Sequence, residues 1–195
     1  MALDEVITIV VVITDENILI QQAAHANDSA AFGQLIEKYQ QRVYGYLFRL
    51  SRDRSWADDL AQDTFLHAWR KLAGFAGTGS FEGWLLRVAH SIFLQAIRKQ
   101  KNRREQALEA TDMGEAVNDA TASEIDLETL LSGEAFEIRS MLILVYGYGY
   151  TFEETAAVVA MPAGTVKSHV SRAKKRIQER MRFAGQGITH GEKSA

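Results

Sequence analysis

The residues most able to do chemistry lie near the C-terminal end of the chain. Lys167, His169, Arg172, Lys174, Lys175 and Arg176 fall within ten positions. From Lys167 to Arg182 there are seven Lys/Arg and one acid, Glu179. Such a run neutralises phosphates, whereas a merely solvated helix mixes both signs in i,i+4 pairs. A helical hairpin with a solvated basic face is the alternative reading. A second cationic group, Arg87, Arg98, Lys99, Lys101, Arg103 and Arg104, alternates with aromatic and hydrogen-bonding residues. That mixture suits single-stranded DNA, where charge follows the backbone and rings stack on bases. Little points to covalent chemistry. The absence of cysteine excludes disulfides, thiol nucleophiles and cysteine-rich zinc sites. Five histidines are scattered without ligand spacing, so neither a metal nor a cofactor is expected. Asp58, Asp59 and Asp63 could suggest chelation, but no second acidic cluster completes a site, and a solvated or partner-facing surface fits better. The glycine-rich stretch from Gly74 to Ser80 lacks a preceding strand and a Gly-Lys-Ser/Thr ending, so it is not a nucleotide cradle. Phe75 and Phe81 bracket it, which suits either a loop that receives an unstacked base or a plain connection with half-buried aromatics.

The elements that must position these residues read as helices throughout. Asp15 can cap a first helix to about Ala26, with Ile18, Leu19 and Ala23 inward. After a turn at Asn27-Asp28, the spacing of Phe32, Leu35, Ile36, Tyr39, Val43, Leu47 and Leu50 predicts a long amphipathic helix. A third runs from Ser55 to about Leu72, with Trp56, Leu60, Thr64 or Phe65, Ala68 and Leu72 inward. Trp84, Leu85, Val88, Ile92 and Ile97 line the inner face of a fourth, ending near Arg104, with Arg87, His90, Ser91, Gln95 and Arg98 on its flank. Residues 105–133 are acidic and weakly periodic, as a linker would be. Glu134 to Tyr146 then predicts a helix that Gly147 and Gly149 end. Thr151 and Glu154 form a capping box for a short helix whose packing surface is Ala156 to Val159. Met161-Pro162 breaks it. A final helix carries Val166, Val170, Ala173 and Ile177 on one side, completing a helix-turn-helix.

At 195 residues the chain has room for one domain or two small ones. The net charge of −3 hides strong segregation. Residues 1–37 hold six acids and no Lys/Arg, and residues 38–104 hold thirteen Lys/Arg against five acids. Residues 105–138 hold ten acids and no Lys/Arg, and residues 139–182 return to eight Lys/Arg against three acids. Two basic blocks around an acidic one suggest two polyanion-binding modules and a tether. The apolar run Val6–Ile13 is too short to span a bilayer and has no basic residue before it, so neither membrane insertion nor a secretory signal is expected.

Three stretches in this order, DDLAQDTFLHAWRKL at 58–72, FEGWLLRVAHS at 81–91 and YTFEETAAVVAMPAGTVKSHVSRAKKRI at 150–177, carry a resemblance to the extracytoplasmic-function (ECF) sigma factors of the bacterial sigma-70 family. It implies an all-α chain of two small helical domains joined by an acidic flexible linker. Residues 15–104 would be region 2 and 129–182 region 4, with an extension at 1–14, the linker at 105–128 and a tail at 183–195. It implies a cytoplasmic, non-enzymatic promoter-specificity subunit. Its partners would be the β′ and β subunits of RNA polymerase core, promoter DNA and an anti-sigma factor. By resemblance, Asp58, Asp59, Gln62, Asp63, Leu66, His67 and Arg70 contact core polymerase. Phe75, Ser80, Phe81, Trp84, Arg87, His90, Ser91 and Arg98 open the −10 element and hold a flipped base. Thr165, Lys167, Ser168, His169, Ser171, Arg172, Lys175 and Arg176 read the −35 element. The chain departs from the family pattern at His90-Ser91, where Arg-Asn is usual, and at Gln95, usually Asp. It departs again at His169, where Arg is common, and at Glu134-Ala135, where Leu-Pro often opens the first region 4 helix. His169 cannot make the bidentate guanine contact of arginine.

Overall fold

The described residues of this computed structural model are 16–108, 131 and 133–186. The expected N-terminal extension, the Asp15 cap, most of the acidic linker and most of the tail therefore lie outside them. The described residues are helical, without strands, and divide into two compact units, one ending at Ile97 and the next beginning at Arg98.

In the first unit, α1 covers residues 16–25. Ile20 and Ala23 face inward, whereas Ile18, expected inside, is 46% exposed. Helix α2, Ser29–Ser51, starts where the Asp28 carboxylate accepts the Ala30 and Ala31 N–H groups. Of its apolar stripe, Phe32, Leu35, Tyr39, Val43, Leu47 and Leu50 are buried as the spacing required, and Ile36 is half-buried. Helix α3, Arg54–Lys71, begins one residue before Ser55 because Asp53 is the N-cap, accepting from Trp56 N–H at 2.9 Å. Thr64 rather than Phe65 is its fully buried residue. The threonine hydroxyl donates to the Leu60 carbonyl at 2.7 Å, so a small polar side chain enters the core satisfied. Helix α4, Phe81–Leu108, starts in this unit and runs past its end at Ile97; it continues beyond Arg104 because Glu105 to Leu108 are good helix formers and no Gly or Pro intervenes.

Aromatic pairs tie these helices together: Phe32 on Trp69 at 4.8 Å, Tyr39 on Phe81 at 5.6 Å and Trp56 on Phe93 at 5.7 Å. Each large apolar side chain fully buried here contributes about 1.5–3 kcal/mol. Exposed pairs such as Lys38–Glu16 and Arg42–Glu82 contribute about 0–1 kcal/mol each. The apolar core therefore holds the unit, and the ion pairs trim its edge.

In the second unit, α5 is Phe136–Leu142, so Glu134 precedes the helix instead of opening it. The helix continues as a π-turn, Ile143–Gly147, with Tyr148 N–H donating to the Ile143 carbonyl at 3.1 Å. Gly149 follows at φ +72, a left-handed value that glycine adopts without strain. Helix α6, Phe152–Val159, carries the expected capping box: Thr151 Oγ1 accepts from Glu154 N–H while Glu154 Oε2 accepts from Thr151 N–H. Its inward face is Thr155, Val158 and Val159, and Ala157 is exposed. The helix stops before Met161-Pro162 rather than at it. Ala160 already turns left-handed at φ 55, and the Pro162 carbonyl then accepts from Thr165 and Val166 N–H to start α7, Ala163–Gln186. Val166, Val170 and Ala173 are buried and Ile177 is half-buried, as the spacing predicted.

Candidate nucleic-acid interface

Three surfaces follow from these elements. On α3, the buried stripe Ala57, Leu60, Thr64 and Ala68 leaves Asp58, Asp59, Gln62, Asp63, Leu66 and Arg70 exposed, with His67 half-buried. Among the described residues no group of three or more His, Asp or Glu side chains is placed to hold a metal ion. Leu66, 54% exposed, stands amid these polar side chains and borders an apolar groove of about 520 Å³ between α2 and α3. Phe32, Ile36, Phe65 and Trp69 line it. Carboxylates around an apolar strip are suited to another protein surface and would repel phosphate.

The second surface is the loop before α4 and the outward side of that helix. Gly77 and Gly79 adopt φ +68 and +80, which lets the loop fold back over a cavity of about 420 Å³. Glu16, Asn17, Tyr39, Phe75, Ser80 and Phe81 are among its lining residues. Phe75 is half-buried, edge-on to Phe81 at 5.5 Å and tilted on Trp84 at 5.4 Å. Ser80 caps α4, its hydroxyl accepting from Gly83 N–H at 3.0 Å. At about 3.6 residues per turn, Trp84, Arg87, Ser91, Gln95 and Arg98 share one side of α4. Of these Trp84 is half-buried and the rest are exposed. Gln95 Nε2 donates to Ser91 Oγ at 3.2 Å, so the two departures from the family pattern touch each other.

Two residues expected on this surface are elsewhere. Phe81 is 3% exposed, under Tyr39 and Trp84, and serves as the floor on which Phe75 rests. His90 is 5% exposed with Nδ1 2.9 Å from the Tyr46 hydroxyl. Burial disfavours the imidazolium and pushes His90 down from 6.5 to about 4. His90 is thus a neutral core residue, because the buried side of α4 is wide enough to include it beside Leu86 and Phe93.

The third surface is α7. Opposite its buried stripe lie Ser168, Ser171, Arg172 and Lys175, with Lys167 and Lys174 on one flank and Thr165, His169 and Arg176 on the other. Lys167, Ser171, Arg172 and Lys175 are exposed, and Thr165, Ser168 and His169 are half-buried. Arg172 Nη2 donates to Ser168 Oγ at 2.5 Å, one turn earlier. Arg176 differs from its neighbours. Its guanidinium is paired with Glu134, whose side chain is 3% exposed, and Arg180 joins the same carboxylate. Arg176 is thus held by Glu134 while its side chain stays 47% exposed. Arg180 and Glu134 were not among the sequence-derived site residues. The signal that singled out Glu134 was its departure, with Ala135, from the usual Leu-Pro, and nothing in residue types pointed to Arg180.

A bipartite helical chain whose second unit presents a cationic helix-turn-helix defines a class of DNA-binding protein. The family description Sigma-70 region 2 matches residues 35–103, and Sigma-70 region 4 matches residues 139–177, in the order of the two units. The ECF RNA polymerase sigma factor SigE of Mycolicibacterium smegmatis is 28% identical over 157 residues, 76% of this chain and 61% of that protein. This chain thus spans under two thirds of that relative. SigM of Mycobacterium tuberculosis, also an ECF sigma factor, is 29% identical over 170 residues, 85% of each chain. Among solved structures, the sigma factor RpoE of Bartonella quintana, in complex with the anti-sigma factor NepR, is 28% identical. That match has a TM-score of 0.64 and covers 77% of this chain and 96% of that one. The chain belongs to the sigma-70 family, in its ECF group.

Proposed function

We propose that this chain is a promoter-specificity subunit that directs RNA polymerase core to promoters and helps open the −10 element. The observation that carries this reading is the presence, in one chain, of an acid-and-leucine protein-docking face on α3 and a cationic helix-turn-helix on α6–α7. A stand-alone DNA-binding regulator has no use for the first. In this reading α3 docks on the β′ subunit through Asp58, Asp59, Gln62, Asp63, Leu66 and Arg70. Trp84, Arg87, Ser91 and Arg98 follow the displaced strand along α4. The cavity beside Phe75 takes an unstacked base. Unstacking costs a few kcal/mol, and stacking on a ring returns about 1–3 kcal/mol, so aromatic capture shifts the opening equilibrium without covalent chemistry. Lys167, Ser168, Ser171, Arg172 and Lys175 face the −35 major groove, with cations on phosphates and the short polar groups on base edges. Polymerase supplies catalysis, and the subunit acts in the cytoplasm. No described helix is long and apolar enough to cross a membrane. An anti-sigma factor is the expected regulator, as in the complex of the Bartonella relative.

Transcription with purified core polymerase tests this. Wild type should give promoter-dependent transcripts. Asp58→Arg combined with Asp63→Arg should abolish co-purification with core while leaving the fold intact. Wild-type levels of core bound by that double variant would refute the docking assignment. Phe75→Ala should slow open-complex formation about 10-fold, equivalent to about 1.4 kcal/mol, with closed-complex affinity unchanged.

A further inference from the structure

Glu134 lies immediately before α5 with its side chain 3% exposed, and two arginines of α7 close on it from two turns near the middle of that helix. Arg176 approaches with Nε 3.3 Å from Oε1 and with Nη2 on Oε2, a bidentate fork, and Arg180 Nη2 bonds Oε1. The hydrogen bond to Glu134 holds the Arg176 guanidinium above its ordinary range. Gly133 belongs to the same arrangement: a Cβ there would fall on the Arg180 guanidinium. The clamp is therefore built from three features, a glycine that makes room, a buried acceptor and two converging donors.

Its position on α7 gives it consequence. A helix about 10–12 Å across fills a major groove about 12 Å wide, so both of its flanks confront phosphates. One flank of α7 offers Lys167 and Lys174, both exposed. The other offers Arg176 and Arg180, whose side chains are 47% and 38% exposed and within reach of solvent. Their N–H groups point instead to a carboxylate, whose pair of anionic oxygens receives the arginine fork as two oxygens of a phosphate do.

We propose that Glu134 is an internal phosphate mimic masking a second DNA-backbone site, formed by Arg176 and Arg180, on the reading helix. The inference rests on the assignment of α7 to duplex DNA. Because Glu134 sits where the chain enters α5, displacement of that segment would release both arginines to the backbone. Promoter grip by α7 is thereby coupled to how the preceding segment is held.

The test is the salt dependence of promoter binding by reconstituted holoenzyme containing the full-length chain. Each added phosphate contact steepens the log–log slope by about 0.9. Glu134→Gln should steepen the slope by about 1–2 and tighten binding about 10-fold at low salt. Glu134→Gln combined with Arg176→Gln and Arg180→Gln should return the slope to the wild-type value. An unchanged or shallower slope for Glu134→Gln overturns the mask. So does a triple variant that keeps the steeper slope, because the arginines are then not its source. If Glu134→Gln fails to fold by thermal melting, Glu134→Met, of similar length and uncharged, gives the same reading. A wild-type holoenzyme that binds no promoter would sink the assignment of α7 itself. A binding wild type with an indifferent Glu134→Gln would sink only the mask.

Discussion

His90 shows how one side chain changes meaning with its surroundings. Its folded value near 4 lies below the ordinary 6.5, so the unfolded chain binds more protons between those values. Stability of the first unit is fully present above pH 6.5 and is lost as pH falls toward 4. The full loss is about 3 kcal/mol. Urea midpoints measured from pH 4.5 to 7.5 should rise with pH for wild type, and His90→Gln should flatten that rise. A wild-type midpoint independent of pH would refute the buried neutral imidazole. The sequence placed His90 on a polar flank because it is next to Ser91 and three residues after Arg87 in the chain. Tyr46, 44 positions away, is what moves it into the core. Ala160 is a second such residue. Its φ of 55 costs an alanine about 1–2 kcal/mol, of which greater unfolded-chain entropy would consume part if glycine stood there. Ala160→Gly should therefore stabilise the second unit by about 0.5–1 kcal/mol in thermal unfolding.

Within single elements, like residues divide into structural and interfacial ones. Helix α3 carries Asp53 at its cap and Asp58 and Asp63 on its exposed face. Asp53→Ala should lower stability by about 1 kcal/mol, because the Trp56 N–H loses its acceptor. Asp58→Arg with Asp63→Arg should shift stability by about 0.5 kcal/mol or less, while the proposed docking predicts that it abolishes co-purification with core. Chemical denaturation and pull-down on the same proteins would separate the two roles, and equal destabilisation by both changes would contradict the division. Helix identity and inward faces were legible because apolar spacing and capping residues are local. Helix ends were less so. Proline seemed sufficient to stop α6, yet Ala160 turns first, and the π-turn at Ile143–Gly147 left no mark in residue types.

Across the whole chain, charge segregation and two separate cores set the behaviour. Each unit buries its own apolar set, Leu35, Val43, Leu47, Leu85 and Leu86 in one, Met141, Leu144, Val166 and Val170 in the other. Scanning calorimetry should therefore resolve two transitions, with the pH dependence of His90 confined to one. A single pH-sensitive transition would show the units to be one cooperative body. Promoter affinity should fall steeply with salt, and Lys175→Gln should reduce that slope by about 1 at all promoters alike.

The sequence by itself determined the all-helical character, the buried stripes of α2 and α7, the capping box at Thr151 and the order of three motifs that names the family. These depend on neighbours within a few residues, and helical periodicity makes them readable. Tertiary structure decided which flanking side chains are available to a partner. It withdrew Phe81 and His90 into the first core and tied Arg176 to Glu134. It also opened the groove beside Leu66. A contact across 42 residues, such as Glu134 with Arg176, leaves no periodic trace, because its energy exists only after both helices have packed.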